Sequence, residues 1–534
     1  MTLVHAEVAA NIKNAAENNS PMKKHSFKRL MYTISSAILL VLAFPRFNLW
    51  FFAWIGLVPL FFALETNSIK NRFVIGYIFG IIFFTGILYW LFSVTIPGAI
   101  ALILISALTP AIFCSICHTQ PTHSKTGALA YNTLFIPAAW VLSEYFRTYF
   151  LTGFPWALLG YSQSVNLPII QIADVTGVYG VSFLIVLANF GIYLVLRKAP
   201  QRFYSLFAIF IVFALVLAYG QKRINYPDLA QKLKVAVIQG NIPQRFKWDP
   251  QYRRFIMDKY EMLTKAALTQ SPRLVVWPET SIPGYLKEEN DLKSKVVDLV
   301  KSGNTNILAG SIRSEGSKVF NSAIFVSQDG LITESYDKIH LVPLGEFIPF
   351  KDFFNRFRAF IDKPIGDFAR GSKFTVFKFK LHDTIKTPGN IQRITQFHEF
   401  SALICFEDIF PDLCRRFVKN GARFLVNITN DAWFGKTAAP YQHMQGSVFR
   451  AVENRVTVLR AANTGVSCII DHTGKVLETV NLNGDDVFVD GYAAANITPN
   501  FFIKTFYTRH GDVFSWVSIF LVFIGIVFFR KRKT

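Results

Sequence analysis

Apolar residues crowd the first 220 positions and the last 22, whereas the region between alternates polar and apolar residues like a water-facing fold. Long apolar runs recur at Leu30 to Phe44, Leu49 to Leu64, Phe73 to Val94, Ala99 to Cys117, Ala128 to Val141, Val178 to Leu196, Phe203 to Tyr219 and Val513 to Phe529. Most approach the ~20 residues a helix needs to cross the hydrocarbon layer, so the pattern predicts about eight transmembrane helices. Four segments follow: a polar arm over 1–28, a helical membrane domain over 29–223 with about seven of the helices, a globular domain over 230–498, and a C-terminal membrane helix with a basic tail over 511–534. Lys23, Lys24, Lys28 and Arg29 precede the first run, so a cleaved signal peptide is an alternative there. No small-x-small site precedes Phe44-Pro45-Arg46 and another apolar run follows at once, which favours a retained hairpin.

In the central region the periodicity shortens. Val235 to Gln239 is a short apolar run closed by Gly240-Asn241, and "RLVVWPETSIP" is a second that stops at Trp277-Pro278. Further strands are predicted at Ile307 to Gly310, Ala323 to Ser327, Leu403 to Cys405, Phe424 to Ile428 and Val466 to Ile470. Helices are predicted over Asp249 to Leu268, Leu292 to Lys301, Pro411 to Lys419 and Tyr441 to Glu453. Such alternation argues for α/β layers and by itself names no function.

Charge adds orientation. With a cytoplasmic N-terminus, the inner loops hold Lys70 and Arg72, then Lys125, then Arg197, Lys198 and Arg202, and the Arg530-Lys531-Arg532-Lys533 tail also lies inside. The globular domain then lies on the far side, which in a bacterium is the periplasm. The net charge of +21 comes without an RNA or DNA motif, so membrane-surface attraction accounts for it and no nucleic-acid partner is expected. Five cysteines, Cys114, Cys117, Cys405, Cys414 and Cys468, imply no disulfide framework. No His/Cys cluster of ligand spacing and no phosphate-binding Gly loop occurs, so neither a metal nor a cofactor is expected.

Three ionisable residues stand at or near strand ends: Glu279 in "WPETSIP", Lys338 in "YDKIHLVPLGEFIPF" and Cys405 in "ICFED". A carboxylate that accepts a thiol proton, an ammonium that steadies a thiolate and an oxyanion, and a cysteine that holds an acyl group form a complete set for thiol acyl chemistry. His340, two residues from Lys338, is an alternative base in a Cys-His pair. Taken singly, each has a plainer explanation: a buried inert thiol, a surface acid, a solvated ammonium.

With "QGNIPQRFKWDP", "VVWPETSIP", "YDKIHLVPLGEFIPF", "CFED" and "NITNDAWFG" strung in order, the chain is similar to the nitrilase superfamily, and more closely resembles the apolipoprotein N-acyltransferase family over nearly its whole length. That resemblance implies an α-β-β-α sandwich beside the multi-pass helical domain. It implies Glu279 as general base, Lys338 on the oxyanion side, Cys405 as nucleophile and Glu346 in support. It gives Trp248, Phe406 and Glu407 positions that shape the pocket, while Asn430, Asp431 and Trp433 either line the pocket or brace a loop. Phe406 stands where the family commonly has Tyr, which leaves any role for that hydroxyl in doubt.

The resemblance further implies ping-pong transfer of a fatty acyl chain. A phosphatidylethanolamine-like phospholipid donates to a Cys405 thioester, and the amine of a diacylglyceryl-cysteine lipoprotein accepts. A monomer is expected, held in the bacterial inner membrane with a periplasmic catalytic domain and both termini cytoplasmic. Burying a lipid donor sets the site near the interface, since exposing each CH₂ costs about 0.8 kcal/mol. The segment Phe350 to Lys363, "FKDFFNRFRAFIDK", either dips into headgroups or packs on the domain. Two rivals remain: a membrane-tethered amidase passing the acyl group to water, and a transporter or scaffold. The second is disfavoured because Glu144, Arg147 and Asp174 are the main charges among the helices.

Overall fold

The computed structural model describes residues 25–66, 68–117, 127–200, 202–226, 232–343, 345–347, 367–387, 390–499 and 504–531. The chain forms two compact units, Met1–Arg147 with Ser182–Ala214 and Ser515–Thr534, and Thr148–Val181 with Leu215–Phe514.

The apolar runs become helices, and they are not confined to the first unit. Among the described residues four are long and apolar enough to cross a membrane by length and composition: Ile69–Ser93, Ile96–Ile116, Val178–Leu196 and Arg202–Ile224. Shorter apolar helices occupy Trp50–Ala63, Leu167–Thr176 and Val513–Val527. The run Leu49 to Leu64 is not one straight span. It divides into a 3-10 turn, Trp50–Trp54, and a short helix, Val58–Ala63, with Gly56 between them and Pro59 in the first turn of the second. The backbone groups left open at that break meet Asn189, which accepts from the Leu57 N–H at 2.8 Å and donates to the Ala53 carbonyl at 2.8 Å. Such satisfaction is what allows irregular backbone inside an apolar layer.

Gly76 and Gly80, four residues apart, let the Ile69–Leu88 helix approach Ile96–Ile116 closely. A Cβ on Gly76 would lie 2.5 Å from the Pro110 carbonyl oxygen and one on Gly80 2.7 Å from the Ala107 Cα. Arg72 is buried rather than presented at a surface, donating to the carbonyls of Thr66 and Ser115, both at 3.0 Å.

The second unit contains two six-stranded sheets, ordered β12-β1-β2-β3-β4-β5 and β11-β10-β9-β8-β7-β6. The strands are β1 Leu233–Gln239, β2 Leu274–Val276, β3 Asn306–Glu315, β4 Lys318–Val326, β5 Ile332–Asp337, β6 Phe377–Thr387, β7 Asn390–Ile404, β8 Phe424–Thr429, β9 Thr457–Ala462, β10 Cys468–Ile470, β11 Val476–Thr479 and β12 Gly491–Ile497. β1, β2 and β3 run parallel, as do β7, β8 and β9, so each set directs its C-terminal ends one way.

Alternation decides which faces meet. Phe377 and Phe379 of β6 point inward while Lys378 and Lys380 are exposed. Phe325 of β4 contacts Phe377, Phe379 and Phe400 at centroid distances of 6.0, 5.9 and 5.6 Å, which joins the two sheets. Burial of each such ring contributes roughly 1.5 to 3 kcal/mol. On the other face of the first sheet pack the Arg253–Leu268 and Asn290–Gly303 helices, through Ile256, Tyr260, Leu292 and Val296 among others. The Pro411–Lys419 and Ala439–Asn454 helices flank the second sheet, completing the α-β-β-α layers.

One division between the compact units, Ala214 to Leu215, falls close to the drop in hydropathy, but a second stretch departs from it. Residues 148–181, counted by composition with the membrane part, belong with the sheets. Gly153, Pro155, Pro168 and Gly177 break this stretch into turns, and its polar groups are met by the layered unit. Asp174 pairs with Arg455 at 3.0 Å, Gln171 donates to the Thr473 carbonyl at 2.8 Å, and Glu453 accepts from the Val178 N–H at 3.0 Å. The segment Phe350 to Lys363 lies outside the described residues.

Candidate active site

β2 ends where Pro278 removes a ladder donor, and the next residue is Glu279. Trp277 anchors this end: it is fully buried and its indole N–H donates to Thr264 at 2.9 Å. The turn then folds back on β3 so tightly that a Cβ on Gly310 would stand 2.5 Å from the Thr280 nitrogen. Thr280 itself is left-handed, with φ +46°. The Glu279 carboxylate, nearly buried, accepts from the Asn321 amide at 2.7 Å and faces the Lys338 ammonium at 3.6 Å.

Lys338 follows β5, its N–H bound to the Asn321 carbonyl at 2.9 Å. Its ammonium donates to both oxygens of Glu346 at 2.9 Å. Glu346 is in turn fixed by the Val342 N–H at 2.9 Å and the Asn321 amide at 3.0 Å. Burial works against the charge on Lys338, but Glu346 foremost, and then Glu279, outweigh it and raise its pKa above the usual lysine range.

Cys405 is the first residue past β7 and takes a left-handed conformation, φ +56°, unusual for a residue with a side chain. Its carbonyl accepts from the Asn427 amide at 2.9 Å. Burial raises the thiol well above its ordinary pKa and Glu279 adds to this, while Lys338 and a hydrogen bond with Thr429 pull the other way. Burial thus favours the neutral thiol over the thiolate.

Glu407 is fully buried and lines no open surface. It accepts from Tyr336 at 2.8 Å, from the N–H groups of Ile339 and His340 at 2.7 and 2.9 Å, and from Ile404 at 2.8 Å, so it ties the end of β5 to the end of β7. Burial raises its pKa to about 7 against those donors. His340 packs its ring on Phe410 at 3.9 Å and Phe406 at 6.0 Å, and no hydrogen bond joins it to Cys405 among the described residues. Burial first, then Arg370 and Lys338, lower its pKa to about 4, unfavourable for a base at neutral pH.

Phe406 is partly buried beside Phe410 at 5.1 Å and Phe154 at 6.3 Å. The Asn430 amide is taken up by Gln244 at 2.6 Å and Asn463 at 3.0 Å, which braces the loop after β8. Trp433 is partly buried and Trp248 is 45% exposed. Asp431 belongs to a separate buried cluster. His443 bridges Asp408 at 2.8 Å and Asp431 at 3.0 Å, and Arg460 reaches the same two carboxylates at 3.1 and 3.0 Å.

Sequence reasoning did not anticipate Asn321, Asn427, Thr429 or Lys247. The one available signal for Asn321 was a polar residue interrupting the apolar run of β4. Among the described residues no group of three or more His, Cys, Asp or Glu side chains could hold a metal ion.

Layered sheets with these residues at their strand ends have the architecture of a carbon-nitrogen hydrolase, and the Carbon-nitrogen hydrolase family model matches residues 234–495. A second model, the Apolipoprotein N-acyltransferase N-terminal domain, matches residues 36–191. An Apolipoprotein N-acyltransferase of Geobacter metallireducens is 36% identical over 535 residues, covering 94% of this chain and 96% of its own. Those of Allorhizobium ampelinum (31% identity, 86% and 89% covered) and Photobacterium profundum (26%, 96% and 98%) are also similar. The chain belongs to the apolipoprotein N-acyltransferase family.

Proposed function

We propose that this protein moves a fatty acyl chain from a phospholipid, through a thioester on Cys405, to the N-terminal amine of a diacylglyceryl-cysteine lipoprotein. The observation that carries the reading is the meeting of Glu279, Lys338 and Glu346 beside a thiol on a strained strand end. In the first half, Glu279 takes the Cys405 proton as the sulfur attacks the ester carbonyl. Lys338 and the Phe406 backbone N–H steady the oxyanion. Collapse expels the lysophospholipid alkoxide, which takes the proton from Glu279. In the second half the neutral amine attacks the thioester, Glu279 removes the excess proton of the new amide, and the sulfur leaves and is reprotonated.

Phosphatidylethanolamine-like lipids suit the donor role, and the apolar helices support a donor drawn from a bilayer. We place the layered unit on the periplasmic side of a bacterial inner membrane, both termini in the cytoplasm, and the active species as a monomer. The test is mass spectrometry of the protein after exposure to phospholipid, with a diacylated lipopeptide added second. A fatty-acyl mass on the Cys405 peptide, discharged to the lipopeptide amine, is the expected result. Free fatty acid with no lipopeptide product would assign the protein to the amidase alternative.

A further inference from the structure

Lys247 stands in the loop after β1, is 4% exposed, and has no part in the chemistry above. Its ammonium donates to the Glu279 carbonyl at 2.8 Å and to the Thr280 hydroxyl at 3.0 Å. These two groups are the left-handed turn that carries the proposed base. Besides the turn, Lys247 interacts electrostatically with the Glu279 carboxylate and with Cys405 at the end of β7. Lys338 and its partner Glu346 stand beyond Glu279. A buried ammonium is costly to keep where an uncharged donor would hold the same turn, so its charge calls for a use.

We propose that Lys247 is a positioning residue for acyl transfer, holding the Glu279–Thr280 peptide in place and supplying a second positive charge to the sulfur as its proton leaves. The inference rests on the acyl-enzyme reading and deepens it. Charge balance explains why one ammonium is not enough. With Cys405 as a thiol, two lysines face two carboxylates, Glu279 and Glu346, and the set is neutral. Moving the proton from Cys405 to Glu279 leaves that total unchanged, so while Lys247 is charged the thiolate forms in a neutral set. Without that charge the thiolate forms in a site of net negative charge. Burial lowers the Lys247 pKa to about 8, against the opposing pull of Glu279 and Cys405, whereas Lys338 stays charged above that range. Acylation therefore loses its second cation as pH rises through about 8.

The test is the rate of acyl addition to Cys405 in the full-length protein in phospholipid–detergent micelles, without acceptor, from neutral to alkaline pH. The wild-type rate should fall on an alkaline limb centred near pH 8. Lys247→Arg, which keeps its proton far higher, should move that limb upward. Lys247→Met should be slower by about tenfold or more and lack the limb. A Met variant with the wild-type rate and limb, or an Arg variant whose limb does not move, overturns the role of Lys247. If Lys247→Met does not fold, the Arg comparison decides alone. Absence of acyl mass on wild-type Cys405 overturns the acyl-enzyme reading and this inference with it.

Discussion

Two buried charge clusters lie close together in the layered unit and are built on opposite plans. In the one made by Asp408, Asp431, His443, Arg460 and Ser447, every carboxylate oxygen has a fixed partner. Asp408 is met by His443, Arg460 and Ser447, and Asp431 by His443, Arg460 and Thr429. Burial and Arg460 oppose a charge on His443, but the two carboxylates outweigh them and raise its pKa. Asp431, despite burial, is lowered to about 2 by His443 and Arg460. In the other cluster Glu279 is held through one oxygen by Asn321, and among the described residues its second oxygen has no hydrogen-bond partner. The first plan leaves no vacancy for a proton, which suits a brace between β7, β8 and β9. The second leaves an acceptor free beside a thiol, which suits chemistry.

The contrast can be broken experimentally, beginning where the effect is greatest. Cys405→Ser should abolish acyl transfer, a loss beyond about 10⁴-fold in a labelled-phospholipid assay, without moving the unfolding midpoint. Glu279→Gln should cost about 10² to 10⁴-fold in acylation rate, again with the fold intact. Arg460→Met should act the other way, lowering stability by about 3–5 kcal/mol in denaturant unfolding, because Asp408 and Asp431 lose a buried partner. If Arg460→Met left stability untouched, the brace would not be one.

Glu407→Gln sharpens the comparison from a third position, since its carboxylate sees only donors: Tyr336, Ile339, His340 and Ile404. An amide turns an N–H toward one of them, and a loss of about 1–3 kcal/mol is expected. The sign with pH follows from a folded pKa of about 7, above the ordinary carboxylate range. The stability that the wild type draws from this shift is present in acid and is lost as pH rises through about 7, so the gap to the variant should narrow there. Thermal unfolding over that range measures it. The smallest effect is expected from Phe406→Tyr, a change of about 0.5 kcal/mol or less in stability.

Much of the Glu279 cluster was legible along the chain because Glu279, Lys338, Glu346 and Cys405 sit in long motifs at strand ends. Asn321 and Lys247 were not, since their value comes from what folding places opposite them and neither residue type signals that locally. Strand β12, "GYAAANI", escaped notice for a related reason: alanines carry little β preference, and the strand is held by antiparallel pairing with β1. Hydropathy groups residues 148–181 with the helices whereas compactness groups them with the sheets, because hydropathy measures how apolar a stretch is, not whether lipid or protein covers it. Trp156 illustrates this, its indole bonded to Gln442 at 2.8 Å and its ring 5.5 Å from His443.

That stretch has a practical consequence for anyone cutting the gene. A fragment spanning only the globular stretch expected from hydropathy would leave behind Asp174, the Val178 N–H and the Tyr161 hydroxyl, partners of Arg455, Glu453 and Arg450. Three buried ionic side chains would be stripped at once on a face that water was never meant to wet, so such a fragment should come out of cells as inclusion bodies.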